Sequence, residues 1–226
     1  MIEWVYRRVS RARSVTSVCV ATDDKRVRDA VESFGGKVVM TSKRHGSGTD
    51  RIAEVARQAR YPVIVNVQGD EPLIEPQAID ELAEGFIESR KGFPVGTLKA
   101  PIRREAELND PNVVKVITGS RGEAIYFSRS LIPHLRGQEI RSLDFMRQKL
   151  FYKHLGIYIY TRTFLAQWPG LKVSGLERLE ALEQLRVLEN GYKIKVLVTS
   201  YSSPSVDTPQ DVMVVEEEIA RRKIRF

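Results

Sequence analysis

The sequence predicts an α/β fold, a doubly wound and mostly parallel sheet with a mixed-strand extension. In the first half, apolar stripes with helical period alternate with short apolar runs that suit buried strands. From about Pro94 onward, short strand-like runs follow one another with less helix between them. Regular alternation of strands and helices is typical of parallel sheets that carry helices on both faces, and it sets the fold class.

Helices and strands alternate along the first half of the chain. Four helical stripes are expected at residues 2–12, 27–34, 52–59 and 79–86, and three strands at residues 17–21, 37–41 and 63–67. The second stripe ends at Gly35-Gly36, since glycine is favoured just after a helix C-terminus. The third strand, at 63–67, is almost continuously apolar, as expected for a parallel strand covered on both faces.

The second half predicts an extension of the sheet followed by two helices. Its strands are expected at residues 94–99, 113–118, 124–128 and 154–160. One helix is expected from Ser174, which has a capping-box partner in Glu177, to Asn190-Gly191. A strand at residues 192–201 and a helix from Pro209 onward complete a single domain of residues 1–226.

Composition and charge narrow the class of protein. Lys plus Arg number 36 against 29 Asp plus Glu, and the charge of +7 favours nucleotides, sugar acids or other acidic partners, although a well-solvated surface explains it equally well. No basic cluster interleaved with aromatics marks a nucleic-acid face, and no apolar run reaches the roughly 20 residues of a membrane helix. A single cysteine, Cys19, and a start without signal-peptide layout predict a reduced, cytoplasmic protein.

The run from Val65 to Pro72 carries the strongest local signal. A buried strand is followed by Gly69, which permits a sharp turn, and then by the carboxylates of Asp70 and Glu71. Ligands of open α/β sheets bind at the carboxyl ends of strands, and Mg²⁺ prefers oxygen ligands beside substrate phosphates. Asp70 is therefore a candidate metal ligand; the alternative is an aspartate that only turns the chain before Pro72.

A second acidic signal lies at residues 206–211. Thr208, Pro209 and Asp211 have the types and spacing of an N-cap, a first helical position and a capping-box acid. Capping leaves Asp207 without a role, and we interpret this residue as a second candidate ligand.

Two further stretches suit a polar site. Residues 45–51 form a glycine-rich bend that runs into a helix, where amides and hydroxyls can hold an anion or a base edge, or simply cap the helix. On the strand near residue 154, His154, Gly156 and Tyr158 share one face. That face suits a pocket, a packed core or a subunit interface equally well.

Three polar side chains on the helix after Ser174 form the last candidate group. Glu180 lies one helical turn from both Glu183 and Gln184 in a continuous helix. A solvated acidic face is the alternative to a ligand role.

Together these stretches resemble the 3-deoxy-manno-octulosonate cytidylyltransferases, also called CMP-Kdo synthetases. The resemblance covers almost the whole chain in order, and its most specific parts are the Val-Gln-Gly-Asp-Glu-Pro run at 67–72 and the Leu-Glu-Gln-Leu-Arg run at 182–186. The other matching stretches are residues 21–24, 40–51, 110–116, 126–133, 153–158 and 206–209. This resemblance implies a Rossmann-like sheet of the nucleotide-diphospho-sugar transferase type.

The resemblance implies transfer of CMP from CTP to the anomeric hydroxyl of Kdo, an eight-carbon acid sugar, with release of pyrophosphate, for lipopolysaccharide synthesis. Asp70 and Asp207 would hold Mg²⁺ as catalytic residues. The residues implied near the cytidine are Ser47, Gly48, Thr49 and Arg51. Those implied at Kdo are Gln68, Arg129, His154, Tyr158, Glu183 and Gln184, with Arg129 facing the sugar carboxylate because a guanidinium pairs with it in bidentate fashion. The implied assembly is a homodimer, with a dimerisation and sugar-binding segment at about 94–160.

The start of the chain departs from the family pattern. It begins inside an amphipathic helix with no capping residue before it, so we expect it to lack the first strand and phosphate-binding loop of the family. A start codon placed too late or a trimmed sequence is the preferred explanation. The alternative functions are a cytidylyltransferase for sialic acid or amino-Kdo, and a non-catalytic nucleotide-binding module.

Overall fold

A computed structural model gives the structure of the chain and describes residues 1–89, 91–136, 150–206 and 208–224. The helices are α1 (Ile2–Val9), α2 (Lys25–Ser33), α3 (Gly48–Gln58), α4 (Pro76–Ser89), α5 (Glu105–Asn109), α6 (Arg162–Gln167), α7 (Gly175–Glu180), α8 (Gln184–Glu189) and α9 (Pro209–Arg222). The strands are β1 (Val20–Thr22), β2 (Val38–Met40), β3 (Val63–Asn66), β4 (Val95–Pro101), β5 (Lys115–Thr118), β6 (Ala124–Ser128), β7 (Tyr152–Thr161) and β8 (Ile194–Val198). The α/β alternation predicted from the sequence is confirmed.

Two sheets form within these ranges. Strands β1 and β2 make a small parallel sheet in which Val20 pairs with Val38 and Thr22 with Met40. The larger sheet has six strands: β6, β5, β7, β4 and β8 lie side by side in that order, and β3 pairs with β7. Among the strands just defined, β1 therefore pairs only with β2, and β3 only with β7.

The ten-residue strand β7 organises the larger sheet. One of its edges pairs antiparallel with β4, and its other edge pairs with β3 and, further along, with β5. Strand β3 was predicted as a parallel strand covered on both faces, but it pairs antiparallel with β7, because the extension that begins near Pro94 places β7 between β3 and β4. The residues of β3 before Asn66 are accordingly only half-buried.

The helix predicted from Ser174 to Gly191 is in fact two short helices, and that prediction was wrong. Helix α7 has the predicted capping box between Ser174 and Glu177, but Ala181 adopts a left-handed conformation with φ of 51° and ends it. Leucines spaced every three residues drift around a helix, so a single face cannot bury all of them. The break leaves Leu179 84% exposed while Leu185 is fully buried.

Apolar side chains pack on both faces of the larger sheet. On one face, α4 contributes Phe86 and Leu82, which pack with β-strand residues such as Ile159. On the other face, α3, α6 and α8 pack around Phe164 and Leu185. The second face also carries the cavity described below. Within the described ranges, no helix combines the length and the apolarity needed to cross a bilayer.

Candidate active site

A cavity of about 150 Å³ lies where α3 and α8 meet the larger sheet. Five of its lining residues were predicted from the sequence, namely Thr49, Gln68, Tyr158, Glu183 and Gln184. The remaining lining residues are Asn66, Val95, Tyr160, Trp168 and Val187. A larger open hollow of about 280 Å³ between α1 and α2 contains none of the predicted site residues.

Aromatic rings along β7 and α6 form one wall of the cavity. The ring centroids of Tyr158 and Tyr160 lie 5.9 Å apart, and those of Tyr160 and Phe164 lie 6.2 Å apart in a stacked arrangement. Burial raises the pKa of both tyrosines, and the nearby Glu183 carboxylate adds to this effect. Both phenols therefore stay protonated and keep a donor for hydrogen bonding.

His154 lies beside the cavity and contacts its wall without lining it. Its ring centroid is 5.2 Å from that of Tyr158, and its Nε2 lies 2.9 Å from the hydroxyl oxygen of Thr97. Burial lowers the pKa of His154 to about 3, so the imidazole is neutral near neutral pH. His154 therefore packs against Tyr158 as a neutral ring and supplies no charge to the cavity.

Glu183, which was predicted at the sugar, contacts Thr49, which was predicted near the cytidine. The buried hydroxyl of Thr49, in the first turn of α3, donates a hydrogen bond to the carboxylate of Glu183, which directly precedes α8. This contact spans 134 positions of the chain, so it is a product of the tertiary fold. It holds two predicted residues of different motifs against each other.

Trp168, another lining residue of the cavity, is held in place by polar contacts. Its indole Nε1 donates to Oδ1 of Asp50 at 2.8 Å, and the guanidinium carbon of Arg186 lies 4.7 Å from its ring centroid. Arg186 in turn forms a two-point ion pair with Glu177, at 2.9 and 2.5 Å. Bidentate pairing of this kind fixes orientation, so the indole is held rigidly at the cavity.

The N-terminus of α3 carries the candidates assigned to the cytidine. Ser47 is the N-cap and accepts a hydrogen bond from the Asp50 amide at 3.2 Å, so the capping interpretation of this residue is confirmed. The backbone at Gly48 is open, because an added Cβ would meet no atom within 4 Å. Arg51 donates to the hydroxyl of Thr41 and pairs with Asp23 at 3.3 Å, which joins α3 to the carboxyl ends of β2 and β1.

The turn after β3 places Asp70 beside the segment that precedes α9. The carbonyl oxygen of Asp70 accepts a hydrogen bond from the Val206 amide at 2.9 Å, and Ser203 donates to Glu71 at 3.2 Å. Asp207 lies outside the described residues, although its neighbour Val206 is fixed against Asp70 by this bond. Thr208 and Asp211 form the predicted capping box of α9.

Asp70 is the described residue to which the resemblance assigns Mg²⁺. Among the residues that the structure describes, no group of three or more acidic, histidine or cysteine side chains could enclose a metal. Mg²⁺ does not need such a cage, because it is usually bound through one or two carboxylates together with substrate phosphates and water. The half-buried Asp70 at the end of β3 offers one such carboxylate.

Arg129 is not at the cavity. Its guanidinium donates to the carbonyl oxygens of Glu180 at 2.8 Å, Pro111 at 2.9 Å and Ala181 at 3.5 Å. These three backbone acceptors take three of the five N–H donors of the guanidinium. The assignment of Arg129 to the Kdo carboxylate stays a prediction, and the structure gives Arg129 a role in holding the end of α7.

Sequence reasoning missed three polar or aromatic lining residues, Asn66, Tyr160 and Trp168. Tyr160 could have been found, because it lies two positions after Tyr158 and shares its face of the strand. Asn66 is the one polar residue within the apolar run of 63–67, which is also a signal. Trp168 had no signal, since a tryptophan in a Trp-Pro-Gly turn is consistent with many packing roles.

Comparison with known proteins places these observations in a family. A cytidylyltransferase family model matches residues 1–194. A 3-deoxy-manno-octulosonate cytidylyltransferase of Geobacter metallireducens is 47% identical, covering 99% of this chain and 89% of that protein. An 8-amino-3,8-dideoxy-manno-octulosonate cytidylyltransferase of Shewanella piezotolerans is 46% identical, covering 97% of this chain and 88% of that protein.

The solved structures include a close match in fold. The structure of CMP:2-keto-3-deoxy-manno-octonic acid synthetase complexed with CTP aligns with a TM-score of 0.88 at 39% identity, covering 98% of this chain and 88% of that chain. The fold class and the family resemblance predicted from the sequence are thereby confirmed. The chain belongs to the cytidylyltransferase family, among the 3-deoxy-manno-octulosonate cytidylyltransferases.

Proposed function

We propose that this protein transfers CMP from CTP to the anomeric hydroxyl of Kdo, which forms CMP-Kdo and pyrophosphate for lipopolysaccharide synthesis. The observation that carries the proposal is the convergence of α3, the turn after β3, β7 and the start of α8 on one small cavity. Relatives named for this activity cover nearly the whole chain. The cavity therefore belongs to the part of the chain that these relatives share.

The lining of the cavity suits a single sugar with many hydroxyls. Its volume of about 150 Å³ is below the range of about 300–1,000 Å³ that is typical for drug-sized ligands. The amides of Asn66, Gln68 and Gln184 can both donate and accept, while the Glu183 carboxylate accepts only. A set of amides, phenols and one carboxylate suits the hydroxyl groups of a sugar, each of which can donate and accept.

The transfer is an in-line displacement at phosphorus. The anomeric oxygen forms a bond to the α-phosphorus while the bond from that phosphorus to the bridging oxygen breaks, and pyrophosphate leaves with the bonding pair. The proton of the hydroxyl passes to water. The protein contributes orientation: the cavity fixes the sugar, and the first turn of α3 fixes the nucleotide beside it. Asp70 and Asp207 would hold Mg²⁺, which would supply neutralisation of phosphate charge and a lower pKa of the attacking hydroxyl.

We also propose a homodimer in the cytoplasm, where CTP is available. The segment at about 94–160 supports the dimer, because β6 is an edge strand and its Ile125 is 59% exposed. Edge strands with apolar side chains are ready sites for pairing with another chain. Sedimentation equilibrium tests this proposal, and a monomer at micromolar concentration would contradict it.

The first test is release of pyrophosphate from CTP and Kdo in the presence of Mg²⁺. We would compare this chain with a version extended upstream by the strand and phosphate-binding loop that the resemblance implies. Turnover with Kdo by either version supports the proposal. Preference for 8-amino-Kdo or sialic acid in the same panel would make that sugar the proposed substrate in place of Kdo. Absence of turnover by both versions with all three sugars would contradict it.

A substitution at Asp70 tests the metal assignment. We expect Asp70→Asn to lower the turnover number by about 100-fold or more with the fold intact, because it removes a charge that neutralises the transition state. Asp207→Asn should have a similar effect. The matched control is Asp29→Asn, an exposed carboxylate on α2 that pairs with the neighbouring Arg28. Rates close to normal in both site variants would refute the assignment.

A further inference from the structure

The break between α7 and α8 decides where two cavity residues point. Ala181 has φ of 51°, a left-handed conformation that an alanine adopts only when its surroundings enforce it. Leu182 is then buried, and the next two residues, Glu183 and Gln184, line the cavity. The elbow, which we define as residues 181–183, therefore sets the direction of both side chains.

Glu180 holds the elbow from its N-terminal side. Its Oε1 accepts from the Ser128 hydroxyl at 2.6 Å and from Tyr126 at 3.4 Å, and its Oε2 accepts from the Arg129 amide at 2.9 Å. Burial pushes the pKa of Glu180 upward, but the hydrogen bonds from Ser128 and the Arg129 amide outweigh it and lower the pKa. An ionised carboxylate thus ties the last residue of α7 to the end of β6.

Two cations complete this connection. The Arg129 guanidinium donates to the backbone carbonyls of Glu180 and Ala181, on both sides of the break. Lys115, which is fully buried, donates from Nζ to the carbonyl oxygens of Arg129 at 2.6 Å and Asp110 at 2.9 Å. The end of β6 is therefore itself anchored to the sheet, and it provides a firm base for Glu180.

We propose that Glu180 is a positioning residue for the sugar cavity. It does not line the cavity, and it acts by holding the elbow so that Glu183 and Gln184 face the ligand. The sequence alone favoured a solvated acid at this position, and the contacts with Ser128 and Arg129 replace that interpretation. The inference rests on the proposed function only for the identity of the sugar.

Hydrogen exchange tests the elbow without any ligand. In Glu180→Ala we expect amides of the peptide covering residues 181–187 to exchange at least about fivefold faster than in the parent chain, because local opening becomes easier. The peptide covering β7, residues 152–161, should be unchanged, which shows that the sheet remains folded. Glu180→Gln keeps one acceptor oxygen, so its exchange rate at residues 181–187 should lie between those of the parent chain and of Glu180→Ala. Parent-like exchange at 181–187 in both variants overturns the proposal.

Steady-state kinetics test the consequence for the sugar. We expect KM for Kdo to rise about tenfold in Glu180→Gln, while KM for CTP stays within about twofold, since Arg51 anchors the nucleotide end of α3 separately. The matched control is Glu216→Gln, an exposed acid on α9. Equal changes in both KM values, or none, overturn the proposal. If neither the parent chain nor its extended version shows turnover with any sugar while the exchange result holds, the proposed function fails and the role of Glu180 at the elbow stands.

Discussion

The two sheets of this protein are stabilised in different ways. In β4, which lies between β7 and β8 in the larger sheet, six of seven residues are buried, whereas in β1 and β2 together only Thr22 is buried. The smaller sheet depends instead on polar contacts, among them those from Arg51 to Asp23 and Thr41. A buried apolar side chain usually stabilises a fold more than a partly exposed ion pair does, so we expect the smaller sheet to open more readily.

This difference matches the division of the candidate site. The cavity that we propose for the sugar lies against the larger sheet, where side chains such as Tyr158 and Tyr160 pack on a dense core. The nucleotide candidates lie on α3, whose Ala53 and Ala56 pack into that core while Arg51 reaches out to the smaller sheet. Helix α3 therefore connects the larger, densely packed sheet to the smaller sheet, which we expect to open more readily.

Truncation of buried side chains should reveal the largest difference between the two sheets, measured as the loss in the free energy of unfolding. Phe86, on α4, is fully buried against the larger sheet. We expect Phe86→Ala to lower the free energy of unfolding by about 3–5 kcal/mol, because it leaves a cavity in a packed core. Val38→Ala in the half-buried β2 should cost about 1 kcal/mol or less, since less apolar surface is lost. Urea unfolding measures both, and equal costs would contradict the comparison.

Acid should weaken the larger sheet through His154. Its pKa is about 3 in the folded chain against an ordinary 6.5, so the unfolded chain binds more protons at intermediate pH. Its stabilising effect is complete above pH 6.5, and we expect the free energy of unfolding to fall by at most about 1.4 kcal/mol per pH unit from 6.5 toward 3.

The variant His154→Gln should make that decline shallower. Unfolding by urea at pH 7.5, 6 and 5 measures it, with the exposed His134→Gln as the control. An identical pH dependence in the parent and in His154→Gln would show that the imidazole is not kept neutral by its buried place beside Thr97 and Tyr158.

Much of the fold could be predicted from the sequence because its signals are local. Helix α2 ends where Gly35 and Gly36 stop its stripe, and Gly35 has a φ of 76° that suits glycine. The capping boxes at Ser174 and Thr208 were also predicted correctly. Each of these depends on residues within one or two turns of each other.

The elbow at Ala181 could not be predicted in the same way. Alanine has the highest helix propensity, and the drift of the leucines at 176 to 188 does not mark the position of a break. The contacts on both sides of Ala181 join Glu180 and Ala181 to Arg129, directly after β6, and they span 51 or 52 positions of the chain. The carbonyl contacts of Arg129 are equally non-local, since no local pattern predicts that the backbone of Glu180 and Ala181 accepts hydrogen bonds from its guanidinium.

The smallest expected effect concerns Arg51, on the helix that connects the two sheets. Arg51→Lys keeps the charge but loses the planar fork that reaches both Thr41 and Asp23, so the end of α3 should hold its place less firmly. We expect the dissociation constant of CTP, measured by calorimetry, to rise about threefold to tenfold, with that of Kdo unchanged. Arg57→Lys, exposed on the same helix, is the control. If Arg51→Lys instead weakens Kdo binding as much as CTP binding, the two sheets are coupled through Thr49 and Glu183, and the division between the larger and the smaller sheet does not extend to the ligands.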